Sequence, residues 1–242
     1  MEKEVIRKPA VAGSFYPSNP HELSGMIHMF LESVPEIAFD GDLIGLISPH
    51  AGYVYSGQVA AYGYKLVNGM DFKRVVVIAP SHRIYFNGAS VWSSGGFSTP
   101  LGTISIDEHF SKRLTEKSKT IDFVRQAHIH EHSLEVQLPF LQTVLEDFLL
   151  VPIVMGSQDI QTCKTVASEV VELLDEVRTL FIASSDLSHY YPYDQAVFMD
   201  KLVMEALVEF DPEKLAKKID SGTCEACGSA PMITIIMIGK ML

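Results

Sequence analysis

Residues 74–86 read RVVVIAPSHRIYF. The run RVVVIA (74–79) is apolar behind its arginine, stops at Pro80, and has His82 just beyond it. A short continuous apolar run that ends at a turn signal fits a strand buried on both faces, as in a parallel sheet. The same shape recurs in LIGLI (43–47), LLVPIVM (149–155) and TLFIA (179–183). Between these runs, residues 56–68, 107–117, 132–146, 159–175 and 193–209 carry apolar residues at helical spacing. Strands alternating with helices predict an α/β chain, a three-layer αβα sandwich around a mixed, mostly parallel sheet. GASVW (88–92) and GTISID (102–107) flank SSGGFSTPLG (93–102) and predict a local antiparallel excursion around that loop. The loop is too short to separate domains and no internal repeat is present, so the reading is one domain over residues 1–242.

Composition narrows the class. At 47% hydrophobic residues the chain can bury a sizeable core. Its net charge of −11 argues against a nucleic-acid surface, which needs a basic stripe. No apolar stretch approaches the ~20 residues of a membrane span. The start, MEKEVIRKPA, carries no apolar signal core. Three cysteines do not make a disulfide framework. The expected location is therefore the cytoplasm.

Three of the strand-like runs lead into polar residues. LIGLI runs into SPHAGYVYSG with His50, RVVVIA into His82, and TLFIA into SSDLSHYYPY with Asp186 and His189. Open α/β sheets bind ligands beyond the carboxyl ends of their strands, and parallel strands bring those ends to one edge. Neutral imidazoles ligate iron, zinc and copper. Two histidines with one anionic ligand leave positions open on the metal. A further histidine can move protons, and a nearby aspartate can orient its ring. Taken singly, a histidine in a loop is more often a solvated or capping residue.

The smaller signals divide. CEAC (224–227) has a zinc-like spacing, but a structural zinc site needs four ligands. Cys163 lies in a helical stretch as a core residue. Cys227 precedes Gly228 and a helix with Pro231 in its first turn, and a helix N-terminus favours thiolate. Cys224 reads as a bystander. AHIHEHSLE (127–135) contributes one pocket-facing histidine, His132, with His128 and His130 solvated. SSDLSH holds the residue types of a hydrolase triad, yet no G-x-S-x-G elbow is present. Tyr16, Tyr53 and Tyr55 either wall the pocket or pack as ordinary core.

RKPAVAGSFYP (7–17), SPHAGYVYSG (48–57), APSH (79–82), FSTPLGTISID (97–107), EHSLEVQLPFL (131–141), SSDLSHY (184–190) and CGSAP (227–231) stand in an order that resembles the Memo family from about residue 7 onward. That family is similar in fold to the class III extradiol dioxygenases, which open catechol rings with ferrous iron on two histidines and a glutamate. The resemblance implies His50 and His82 as metal ligands, with Cys227 where the dioxygenases have glutamate. It implies His189 as acid/base with Asp186 beside it, and His132 lining the pocket. The implied cofactor is a divalent metal, iron first, with zinc or copper favoured by the softer sulfur. Ring cleavage does not carry over across the cysteine-for-glutamate exchange. The chain is also short at its C-terminus relative to the family. Two functions follow from the resemblance: a metal-dependent oxidoreductase acting on a small aromatic or polar molecule, or a non-catalytic protein that binds a peptide or small-molecule ligand in the same pocket.

Overall fold

The computed structural model describes residues 5–242. In chain order the elements are β1 (Ile6–Arg7), α1 (Pro20–Ser33), β2 (Gly45–Ser48), α2 (Tyr53–Val67), β3 (Arg74–Pro80), β4 (Ala89–Val91), β5 (Gly96–Thr99), β6 (Gly102–Ser105), α3 (Glu108–Lys117), β7 (Ile121–Asp122) and α4 (Arg125–Ile129). There follow a 3-10 turn (Glu135–Gln137), α5 (Leu138–Val144), β8 (Leu149–Met155), α6 (Ile160–Leu173), β9 (Thr179–Ser184), α7 (Tyr193–Val208), α8 (Pro212–Asp220) and α9 (Ser229–Met241).

The main sheet has six strands in the order β2-β9-β3-β8-β4-β7. The first four are parallel, and β4 runs antiparallel to β8. All seven residues of β3 are buried, as its unbroken apolar run requires. Its side chains alternate between two cores: Val75, Val77 and Ala79 face one, Val76 and Ile78 the other. Each of the valines and the isoleucine contributes about 1.5–3 kcal/mol on burial. The first core is closed by α1, α2 and α5, the second by α3, α6, α7, α8 and α9, which makes three layers. The α/β sandwich read from the strand–helix alternation is thus the architecture found.

The excursion differs from expectation. GASVW does not pair with GTISID; β4 joins the main sheet, and β6 pairs with β5 in a separate sheet of order β1-β5-β6. Strand β5 lies inside the stretch read as loop because its glycine and proline content masks it. Gly96 is needed there, since a Cβ would sit 2.8 Å from the Ile104 carbonyl oxygen across the pair.

The pairing Ser48↔Ser184 and Pro80↔Met155 brings the carboxyl ends of β2, β9, β3 and β8 to one edge. Strand β2 is also the outer strand of the sheet, bordered by an apolar groove of about 800 Å³ lined by Leu43, Ile47, Val59, Met204 and Phe210. That groove reaches Asp186.

Candidate metal centre

His50 follows β2 and is 2% exposed. Its backbone N–H donates to Oδ1 of Asp186 at 2.7 Å. Its Nδ1 lies 2.8 Å from Oγ of Ser184. The Ser184 hydroxyl spends its proton on the Ser133 carbonyl at 2.6 Å and accepts from Nε2 of Gln137 at 2.8 Å. The Gln137 amide is itself oriented, because its Oε1 accepts from the Tyr64 hydroxyl. Ser184 therefore has only acceptor capacity left for His50, and the proton of the His50 ring sits on Nδ1. Nε2 keeps its lone pair and stands 3.1 Å from Sγ of Cys227. Burial, the largest influence, pushes the His50 pKa down to about 4, with His82 and His132 adding to it against Asp186 and Glu131. His50 is a neutral imidazole with a bare Nε2, the form a metal takes.

His82 follows β3. Its Nδ1 lies 2.9 Å from Oε1 of Glu131, and its backbone N–H donates to Oε2 at 2.6 Å. Glu131 also accepts from the backbone N–H groups of His132 and Ser133, each at 3.0 Å. Burial alone would raise the Glu131 carboxyl, but these bonds hold it at about 2. Burial likewise lowers His82, and its bonds with Cys227 and Glu131 overcome that and push it up to about 9. With Nδ1 on a carboxylate, Nε2 is the atom left toward Cys227, and a metal bound there would take the place of its proton. A ligand histidine tied through its other nitrogen to a carboxylate is the usual supporting arrangement.

Cys227 stands on the turn into α9. Its Sγ accepts from the Asp186 N–H at 3.3 Å, and its own N–H donates to the Asp186 carbonyl at 3.3 Å. The neighbouring glycine makes this possible, because a Cβ on Gly228 would lie 2.2 Å from the Ser184 carbonyl oxygen. His132 completes the cluster. Its ring centroid is 4.7 Å from that of His82 and 5.5 Å from that of His50, with Phe15 packed against it at 4.8 Å. Its buried Nδ1 has no hydrogen bond, although Oε1 of Glu131 is 3.3 Å away. Burial holds its pKa down.

Donor atoms of His50, His82 and His132 lie within 4.8 Å of one another, as do those of His50, Asp186 and Cys227. Two oriented imidazoles, an unsatisfied buried ring nitrogen and a thiol fit a divalent transition metal.

The sequence-read residues sort clearly. His50, His82, His132, Asp186 and Cys227 converge. His189 lies on the exposed loop after β9, with its backbone N–H donating to Glu225 at 2.7 Å and its ring Nδ1 3.9 Å from the same carboxylate. The Asp186 side chain contacts His50. Tyr16 is buried and donates to Glu135; Tyr53 is buried and donates to the Val136 carbonyl; Tyr55 is 84% exposed. His130 is exposed as expected, but His128 is not solvated. It is 1% exposed, bonded to Ser90 Oγ at 2.9 Å and edge-on to Trp92, because α4 turns it into the core. Cys163 and Cys224 are buried free thiols. The sequence reading missed Glu131, Ser184 and Gln137. The available signal was a glutamate between two histidines in HEH (130–132).

Residues 7–242 match the family model described as Memo-like protein. A MEMO1 family protein of Methanopyrus kandleri is 38% identical over 248 residues, covering 98% of this chain and 87% of the relative. One from Methanocaldococcus jannaschii is 38% identical over 253 residues, with 98% and 88% covered. One from Nitrosopumilus maritimus is 34% identical over 243 residues, again with 98% and 88% covered.

Proposed function

The chain belongs to the Memo-like family, and on that premise we propose that it is a metal-dependent oxidoreductase acting on a small aromatic or polar molecule. His50, His82 and Cys227 hold the metal, which the resemblance makes iron. The observation that carries the reading is the approach of Cys227 Sγ to the unprotonated Nε2 of His50, at 3.1 Å.

A divalent metal bound there supplies Lewis acidity and open coordination positions. The chain's own groups do the rest. Ser184 and Glu131 fix the rings of His50 and His82 through their Nδ1 atoms. Asp186 braces the His50 backbone and donates its N–H to the sulfur, which tempers the charge of a thiolate. His132 closes the cluster beside His82 and His50. His189, an exposed imidazole on the same loop as Asp186, carries protons between solvent and the site. The apolar groove that reaches Asp186 gives an aromatic ring a way in. A ligand thiol must stay reduced, which suits a cytoplasmic protein. Among the described residues no helix is long and apolar enough to cross a membrane.

The test has two parts. Protein purified without chelators is assayed for iron, zinc and copper beside its Cys227→Ala variant, and oxygen uptake is then followed on a panel of catechol-like compounds after anaerobic loading with ferrous iron. Metal above the variant together with uptake supports the proposal. Metal without uptake moves the function to ligand binding in the same pocket, and equal metal in both proteins refutes the site.

A further inference from the structure

Arginines in this acidic chain are compensated where they serve the fold. Arg7 is paired with Glu135, and Arg74 with Asp107 and Asp175. Arg178 lies over the ring of Phe72 at 4.6 Å. Arg83 is different. It is exposed, directly follows the metal-site residue His82, and its guanidinium has no hydrogen-bond or ion-pair partner among the described residues. It lines two depressions at once. One, of about 580 Å³, is shared with Ser81, His82, Ser157, Gln158 and Asp159. The other, of about 600 Å³, is shared with Gln126 and His130.

We propose that Arg83 is the anion-binding residue of this centre, taking the carboxylate or phosphate group of a small-molecule substrate, with His82 on one flank and His130 on the other. The inference rests on the metal-site reading above and adds the substrate class to it. The carboxylates close by are already engaged. Glu131 accepts four N–H groups, and Asp159 caps α6 through the N–H and hydroxyl of Thr162. Neither carboxylate forms an ion pair with Arg83 among the described residues, although Asp159 lines the same depression. A planar guanidinium offers two parallel donors to a carboxylate or phosphate, which fixes orientation as well as affinity. His130, set aside in the sequence as a solvated residue, acquires a place at the rim.

The probes are benzoate and inorganic phosphate, titrated at low ionic strength into the protein as purified, with binding read from histidine ring signals by NMR. Saturable binding of either anion is expected, weakened about tenfold in Arg83→Gln, the scale of one lost charge-assisted contact. Lys201→Gln, which removes an exposed cation on α7, should leave it unchanged. Binding of benzoate alone identifies a carboxylate substrate, of phosphate alone a phosphorylated one; either result, or both, supports the proposal. No saturation by either anion, or equal binding in Arg83→Gln, overturns it. Metal content separates the two readings: Arg83→Gln keeps its metal, whereas Cys227→Ser loses metal but still binds the anion if the subsite is real.

Discussion

Cys227 Sγ stands 3.1 Å from His50 Nε2, although 177 positions separate them in the chain. Nothing comparable joins Cys227 to Cys224, which is buried and free three residues before it. The C-x-x-C spacing is therefore incidental, and the thiol belongs with histidines placed by β2 and β3.

That contrast sets the first prediction. Cys227→Ser lowers metal content or affinity at least about tenfold, because a neutral hydroxyl replaces a soft anionic donor. Cys224→Ser leaves metal binding unchanged. Metal content by mass spectrometry on both variants checks this.

Glu131 acts on the metal through His82. Replacing it with Gln keeps the shape but leaves one acceptor atom where two serve four N–H groups. Supporting carboxylates of this kind are worth about 10–100-fold in metal affinity. Glu131→Gln should show that loss in a competition titration against a chromogenic chelator, with its fold retained by circular dichroism.

Glu135 holds the N-terminal segment to the turn that precedes α5. It is fully buried, pairs with Arg7 and accepts from Tyr16, Ala10 N–H and Val11 N–H. Glu135→Ala strands a buried guanidinium and should cost about 3–5 kcal/mol. Arg7→Met combined with Glu135→Leu should recover part of it, a pattern that urea unfolding of the single and double variants will show.

His128 gives the fold a pH dependence. Burial, then Arg7, push its pKa down to about 3 from an ordinary 6.5. Between those values the unfolded chain binds a proton that the native state refuses, so this group's share of stability is present above pH ~6.5 and is lost as pH falls toward 3. Relative to His128→Gln, the wild type should lose up to about 1.4 kcal/mol per pH unit across that window. Parallel denaturant titrations from pH 7 to pH 4 measure the difference, and parallel curves for the two proteins would contradict it.

Much of the frame was legible because buried parallel strands are written as unbroken apolar runs. RVVVIA, LLVPIVM and TLFIA became β3, β8 and β9 with ends within two residues of expectation. His50 and His82 were legible for the same reason, since a residue just past a buried parallel strand lies at the sheet edge, whereas His189 stands on the exposed loop. What stayed hidden depends on contacts distant in sequence. β5 is stabilised by cross-strand pairing and lacks apolar periodicity. Ser184 and Gln137 look like ordinary polar residues until the fold brings them under His50. His128 and His130 differ by two positions, and only the packing of α4 makes one core and the other surface.

The central claim is that one metal sits on His50, His82 and Cys227. Anomalous diffraction from crystals of the metal-loaded protein, collected across the absorption edges of iron, zinc and copper, tests it most directly. The account predicts a single strong peak within bonding distance of His50 Nε2, His82 Nε2 and Cys227 Sγ. A peak on Cys224 instead, or metal bound elsewhere with these three atoms empty, would contradict it.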